Sequence, residues 1–282
     1  PGVPLLSFAL FMGAAMSVTA FPVLARILVE RRLLRTKIGV LAITCAAVDD
    51  ITAWCILAFV VSLVRASSVA DGASTTVLAL AYVGLVVRVV RPLVERLAAR
   101  SANKDGLNQN VVAVTLVLLL LSSFTTELIG IHALFGAFLF GAIVPKQHGF
   151  AQLLADKLED LVVVLMLPLF FAYSGLRTEI GLLDSAHAWA TCVVVIGAAC
   201  AGKFGGSVVA ARLTGLRWRE ASALGILMNT RGLMELIVLN IGLDLGVISP
   251  TLFTMMVIMA LATTFMTSPL LERVYPTASA ES

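Results

Sequence analysis

Long apolar runs separated by short charged or Gly/Pro-rich breaks make up most of this 282-residue chain. A helix of about 20 apolar residues crosses a hydrocarbon core about 30 Å thick. A helix also satisfies its own backbone hydrogen bonds in lipid. The pattern therefore predicts an all-α, polytopic transmembrane helical bundle in the lipid bilayer, with a short fifth span. The nine predicted spans cover residues 3–29, 37–64, 74–99, 108–128, 131–145, 158–177, 187–212, 219–245 and 250–271.

Basic residues fall almost entirely in alternate connections. Sixteen of the 20 Lys and Arg residues lie in or beside one set of connections, and only Arg65 and Arg177 lie in the opposite set. Cytoplasmic loops of membrane proteins carry such an excess. We therefore expect the loop at 30–36 and the C-terminus to be cytoplasmic. The net charge of +3 reflects this topology and does not indicate a nucleic-acid partner.

Composition agrees with the membrane assignment, since 60% of residues are hydrophobic and 13% are charged, against roughly 25% charged in soluble domains. The four cysteines lie inside apolar runs without metal-ligand spacing, so we interpret them as packing residues and expect no cofactor. The chain begins Pro-Gly rather than with Met, which we interpret as a missing N-terminal portion.

Five ionisable residues lie inside the predicted spans, where charge is costly. Left unpaired, they would cost on the order of 10 kcal/mol. Such residues persist when they pair, line a cavity or carry out chemistry, so they are candidates for a functional site. The five are Asp49, Asp50, Lys203, Arg231 and Glu235.

Asp49 and Asp50 are adjacent, so on a helix their side chains point about 100° apart. One can face a water-filled cavity while the other meets a cation on a neighbouring helix, for which Lys203 is best placed. Burial and mutual repulsion favour protonation of such a carboxyl, and a nearby ammonium opposes it. A carboxyl in that environment can hold a proton or a cation but hardly both. The alternative is that Asp49 and Lys203 form a structural ion pair only.

Arg231 and Glu235 are four residues apart, so they lie one helical turn from each other. Arg231 is the other cation available to Asp50, but Glu235 can occupy it. Both a structural and a functional interpretation of this pair remain open.

The first and eighth predicted spans are interrupted. Pro22 has no N–H and leaves the Val18 carbonyl without its helical donor. In the eighth span, Asn229, Thr230, Arg231 and Gly232 break the apolar pattern. Either break alone could be a simple kink. Two interrupted helices in matching positions of two halves, however, indicate the ion site of a secondary transporter.

Freed carbonyls and half-helix ends supply partial charges to an ion at the membrane midplane. We expect the oxygens of Ser17, Val18 and Thr19 to lie near Asp50. If the span at 74–99 links two inverted repeats, residues 1–64 belong to the first repeat and 108–275 to the second. The second has four spans before its broken helix, so we expect four spans to be missing before the first.

Four ordered motifs, "SVTAFPVLARIL", "AAVDDITAW", "AGKFGGS" and "MNTRGLMELIVLNIG", resemble the monovalent cation:proton antiporter-2 family of the sodium/proton exchanger superfamily. The last motif looks most like the plant and fungal cation/H⁺ exchanger branch and its bacterial relatives. The resemblance implies inverted repeats with two crossed broken helices in a core domain, and a separate dimerisation domain. It also implies exchange of K⁺ or Na⁺ for protons by an elevator-like movement of the core.

By the same resemblance, Asp50 binds the monovalent cation or the proton, Asp49 pairs with Lys203, and Thr19 lies at the crossover. We also expect a homodimer in the bacterial inner membrane and no enzyme activity. Asp-Asp members of the family are associated with electrogenic exchange, but members of the eukaryotic branch often carry Asn at the first position, so the stoichiometry stays open.

Parts of the sequence are also compatible with three other functions. Residues 197–203 satisfy G-x-x-x-x-G-K, but Phe204 replaces the Mg²⁺-binding Ser or Thr and the stretch lies inside a span, so we interpret its small residues as a site of close helix packing. An intramembrane aspartyl protease needs two carboxyls that converge on one water, whereas adjacent residues on a helix diverge. A ligand-gated potassium efflux system remains the alternative, since relatives with that activity exist within the family group.

Overall fold

The computed structural model of the protein describes residues 3–65, 69–101, 107–146 and 149–276. All regular secondary structure within these residues is helical, which confirms the all-α prediction. The thirteen α-helices are α1 Leu5–Ser17, α2 Phe21–Glu30, α3 Lys37–Arg65, α4 Val69–Leu85, α5 Arg91–Ser101, α6 Gln109–Ile129, α7 Ala133–Ile143, α8 Phe150–Asp160, α9 Leu167–Leu176, α10 Ala186–Leu213, α11 Trp218–Met228, α12 Leu233–Asp244 and α13 Pro250–Val274. Two π-helical turns, Val86–Val90 and Leu161–Met166, join α4 to α5 and α8 to α9, and a short 3₁₀-helix covers Ile180–Leu182.

Each of the nine predicted spans coincides with one helix or with two consecutive helices of the described chain. Seven segments of the described chain are long and apolar enough to cross a membrane, and the bent pair α11 and α12 forms an eighth. The short fifth span is α7, an apolar helix of 11 residues. Large apolar side chains such as Leu176, Leu213 and Phe265 are about four-fifths exposed, as expected of surfaces that face lipid.

The sixth span begins earlier than predicted. Its helical segment runs over Phe150–Leu182, whereas the apolar run starts at residue 158. The extra turns form α8, which is amphipathic: Phe150 and Leu154 are buried and its charged residues lie on the other side. A search for continuous apolar windows misses such a helix because only one face of it is hydrophobic.

Both predicted helix breaks are present. Between α1 and α2 the backbone is extended at Val18, and Pro22 lies in the first turn of α2, where its fixed φ favours a helix start. Between α11 and α12, residues 229–232 separate two segments that bend by 49°. Each break is therefore a true interruption between two half-helices, and the alternative of a simple kink does not hold.

The chain divides into two compact units, one formed by Pro1–Leu57 with Ser174–Ser282 and the other by Ala58–Tyr173. The first unit contains both broken helices, most of α3, and α10 and α13. In it, α2, α3, α10 and α11 share one apolar cluster that includes Leu24, Ala46, Val208 and Leu227.

The second unit is built around the close pairing of α6 and α7. Ser122 of α6 donates to the Gly136 carbonyl of α7 at 2.6 Å and accepts a hydrogen bond from Tyr82 at 2.7 Å. A Cβ on Gly136 would lie 2.2 Å from the Ser122 carbonyl oxygen, so this approach requires glycine.

Candidate functional site

The two helix breaks meet each other inside the first unit. The Thr19 hydroxyl donates to the Met228 carbonyl at 3.1 Å, and the Ala20 N–H donates to the Thr230 carbonyl at 3.0 Å. Gly232 lies close by, because a Cβ built on it would be 3.2 Å from that of Ala20. Each break thus supplies polar backbone groups that the other one satisfies, which keeps both interruptions stable at membrane depth.

The half-helices on the two sides of the breaks are paired as well. Gly242 of α12 packs directly on Phe11 of α1, since a Cβ at Gly242 would overlap the ring at 2.2 Å. On the other side, Leu24 and Leu28 of α2 share a buried cluster with Leu224 and Leu227 of α11. The first half of one broken helix therefore packs on the second half of the other, and the two helices cross at the breaks.

Lys203 joins three helices at this crossing. Its ammonium lies 2.9 Å from Asp49 Oδ2 on α3 and also donates to the Ser17 carbonyl at the end of α1. The side chains of Lys203 and Asp49 are only 11% and 20% exposed. The structure thus brings together the pair that the sequence predicts, and the charge of Asp49 is compensated.

Asp50 is half-buried and, unlike Asp49, is not paired with a cation among the described residues. Its Oδ1 is buried and has no hydrogen-bond partner. A buried carboxylate oxygen in that condition is costly unless a proton or a cation compensates it. Asp50 therefore has a carboxylate oxygen that the described protein groups leave unsatisfied and no cation paired with it. Glu235 Oε2 is also buried without a partner, but the other oxygen of Glu235 is paired with Arg231.

The oxygens expected near Asp50 have other partners in the described structure. The Ser17 hydroxyl donates to the Ala14 carbonyl at 2.8 Å, and the Thr19 hydroxyl donates to Met228. Val18 is buried, and its extended backbone forms the break itself. These hydroxyl hydrogens are committed, but each oxygen keeps lone pairs that can accept or coordinate. No hydrogen bond joins either hydroxyl to Asp50 among the described residues.

Arg231 and Glu235 form a completely buried ion pair. Arg231 Nη1 lies 3.1 Å from Glu235 Oε1, and neither side chain is exposed. Arg231 Nη2 also donates to the Met16 carbonyl at 2.8 Å. Together with Lys203 on Ser17, two cations of the protein thus bind consecutive carbonyls at the C-terminal end of α1, where the helix dipole is negative. The sequence predicted the pair but not this contact, which joins residues 215 positions apart.

Of the other two polar residues of the second break, Asn229 lines a cavity on another side of the helix, whereas Thr230 does not. Asn229 and Thr230 are buried, and Thr230 donates to the Leu227 carbonyl at 2.8 Å. Asn229 Nδ2 points to Cys200 Sγ at 3.6 Å. Asn229 and Cys200 line an apolar cavity of about 420 Å³ between α10, α11 and α13, whereas Lys203 lines a smaller one of about 220 Å³ between α1 and α10.

One residue of the site was missed at the sequence level. Thr264 of α13 bonds to both peptide groups of Arg231, accepting from its N–H at 3.0 Å and donating to its carbonyl at 2.7 Å. Threonine in an apolar span carries no distinguishing signal, because its hydroxyl normally bonds within its own helix.

Two broken helices that cross at membrane depth, beside two carboxylates and a lysine, form the arrangement typical of secondary transporters. The chain matches the family described as sodium/hydrogen exchanger, transmembrane, over residues 2–273, and it belongs to that family.

Curated relatives agree with the branch that the motifs indicated. The Na(+)/H(+) antiporter NhaS4 of Synechocystis is 48% identical over 269 residues, which are 95% of this chain and 66% of that protein. Cation/H(+) antiporter 17 of Arabidopsis thaliana is 46% identical over 95% of this chain and 33% of its own length. K(+)/H(+) antiporter 1 of Saccharomyces cerevisiae is 35% identical over 95% of this chain and 31% of its own length. The chain thus spans about two thirds of the cyanobacterial relative and about one third of the plant and yeast ones.

Proposed function

We propose that the chain is the ion-binding part of a secondary transporter that exchanges a monovalent cation, K⁺ or Na⁺, for protons by alternating access. The observation that carries this proposal is the contrast between two adjacent carboxylates. Asp49 is paired with Lys203 at 2.9 Å, whereas Asp50 has a buried oxygen without a partner.

On this contrast we assign different roles to the two acids. Asp49 and Lys203 neutralise each other, so Asp49 needs no further ion. Asp50 can be satisfied by a proton or by a cation, and occupancy by one excludes the other because a single negative charge is available. That competition is the elementary step of cation–proton exchange. The Asp49–Lys203 pair therefore stays neutral beside the site, while Asp50 binds the transported proton or cation.

Support for the class of substrate comes from the relatives. Their names state exchange of Na⁺, K⁺ or an unspecified cation for protons. The ligands proposed here are the carboxylate of Asp50, the hydroxyls of Ser17 and Thr19 and the backbone carbonyl of Val18, and oxygen ligands of this kind suit alkali cations. Selectivity between K⁺ and Na⁺ depends on the size and ligand field of the site.

The proposal extends to the setting of the transporter. We assign the unit with the two broken helices to the moving core and the other helices to a dimerisation domain, as the family resemblance implies. The excess of basic residues in alternate connections supports a cytoplasmic C-terminus. The functional form is then a homodimer in the bacterial inner membrane.

Ion flux through the reconstituted full-length protein tests the proposal. Liposomes that contain a pH-sensitive dye receive an inward gradient of K⁺ or Na⁺, at several clamped membrane potentials. We expect cation-dependent alkalinisation of the lumen by wild type and none by Asp50→Asn. Asp156→Asn is the matched control, because Asp156 is exposed and bonds only to Gln152 among the described residues.

Two results would contradict the proposal. One is substantial cation-dependent proton flux by Asp50→Asn. The other is cation flux in wild type without any movement of protons, which would favour the efflux-channel alternative.

A further inference from the structure

A single side chain on α13 satisfies both backbone groups of the residue at the second break. Thr264 Oγ1 accepts from Arg231 N–H at 3.0 Å and donates to Arg231 C=O at 2.7 Å. Because the chain at 229–232 is not helical, these two groups lack the partners that a continuous helix would provide. The Thr264 hydroxyl has one hydrogen to donate and two lone pairs that accept, so it can bond to the Arg231 C=O and N–H at the same time.

The fixed peptide of Arg231 in turn holds the first broken helix. The Arg231 guanidinium donates to the Met16 carbonyl at 2.8 Å, and the adjacent Thr230 carbonyl accepts from Ala20 N–H at 3.0 Å. The two residues contacted at the first break, Met16 and Ala20, are four positions apart. Movement of the Arg231 backbone would therefore shift the end of α1 and the start of α2 together.

The same end of α1 is bound to the ion pair. The carbonyl of Ser17, next to Met16, accepts from Lys203, which pairs with Asp49. Hydrogen bonds, together with the covalent links within Arg231 and between Met16 and Ser17, thus connect Thr264 to Lys203 and Asp49. The geometry of these links sets where the α1 oxygens lie relative to the carboxylates.

We propose that Thr264 is a positioning residue of the exchange site: by holding the Arg231 peptide it fixes the crossover that presents the α1 oxygens to the cation. Thr264 does not itself bind the ion, and it acts on the site through Arg231. The inference rests on the proposed function for its transport readout, whereas the hydrogen bonds themselves are testable without transport.

The experiment compares three variants of the full-length protein. Thr264→Val removes both hydrogen bonds with little change in shape, and Thr264→Ser keeps the hydroxyl. Thr263→Val is the matched control, because Thr263 is a buried neighbour on α13 whose hydroxyl, among the described residues, bonds only to Met259 and Ala260 of its own helix. Each variant is studied by amide hydrogen exchange and by cation-dependent proton flux.

We expect the peptide that covers residues 229–233 to exchange about tenfold faster in Thr264→Val, since the bond to the Arg231 N–H is gone. We also expect the half-saturating cation concentration to rise on the order of tenfold. Thr264→Ser should stay close to wild type in both measurements. Thr263→Val should change neither, even where it lowers the melting temperature. If Thr264→Val does not fold, Thr264→Cys replaces it, because a thiol is a weaker hydrogen-bond donor, and smaller shifts in the same direction are expected.

The outcomes separate this inference from the proposed function. Equal hydrogen exchange and equal half-saturating concentrations in Thr264→Val and Thr263→Val would overturn the positioning role. If amide hydrogen exchange at 229–233 is faster in Thr264→Val but the wild-type protein shows no cation-coupled proton flux, Thr264 does hold the Arg231 backbone and the proposed function is rejected.

Discussion

Lys203 lies 2.9 Å from Asp49 and, through the same ammonium, bonds to the carbonyl of Ser17. The residue therefore connects α10 to α3 and to the end of the first half-helix. Asp50 follows Asp49 directly in the chain and has no such partner for its buried oxygen. One compensated and one uncompensated carboxylate side by side are the basis of the functional account.

Removal of Lys203 should destabilise the protein. In Lys203→Ala, Asp49 keeps its charge without a cation, and we expect a loss of about 1–3 kcal/mol, less than for a fully buried pair because both side chains keep some contact with solvent. The melting temperature of the purified protein measures the loss. The double variant Lys203→Ala/Asp49→Asn should recover a large part of it. A double variant no more stable than Lys203→Ala would show that the two side chains are not energetically coupled.

The Arg231–Glu235 pair should be more sensitive, since neither side chain is exposed. Glu235→Ala leaves the Arg231 charge buried and unpaired, so we expect a loss of about 3–5 kcal/mol. Replacing both residues by apolar ones, in Arg231→Met/Glu235→Leu, should restore much of that stability. Thermal unfolding of the two variants tests this. A cost below about 1 kcal/mol for Glu235→Ala would contradict the burial of the pair.

Much of this site could be predicted because charge inside an apolar run is rare and costly. That rule alone identified Asp49, Asp50, Lys203, Arg231 and Glu235, and the structure pairs four of them as expected. Both helix breaks were also visible as local interruptions of the apolar pattern. Local features of this kind leave a signal within a few residues of sequence.

Contacts between distant segments left no such signal. The hydrogen bond from Arg231 to Met16 and the two hydrogen bonds between Thr264 and Arg231 depend on how the helices cross. Residue types alone do not specify that crossing. The small residues of the stretch 197–203 bear out their prediction only in part, since Ala199 is buried but the two glycines are not closely packed. These glycines and alanines were expected to allow close helix packing, but an added Cβ at Gly197 or Gly202 has no contact within 4 Å.

Close packing is instead decisive at Gly136, where the pairing of α6 and α7 leaves no space for a side chain. In Gly136→Ala the new Cβ would lie 2.2 Å from a backbone oxygen, so the helices must separate. We expect Gly136→Ala to lower the free energy of unfolding by about 1–3 kcal/mol. Gly141→Ala, on the same helix with nothing within 4 Å, should be neutral or slightly stabilising. Comparable melting temperatures for the two variants would contradict this packing.

The central claim is that Asp50 holds either a proton or a cation. Calorimetric titration of the purified full-length protein with K⁺ or Na⁺, in buffers of different ionisation enthalpy, counts the protons released per cation bound. At a pH where Asp50 is protonated, the account predicts release of about one proton per cation by wild type, and neither cation binding nor release by Asp50→Asn. Cation binding by wild type without proton release, or unchanged binding by Asp50→Asn, would contradict it.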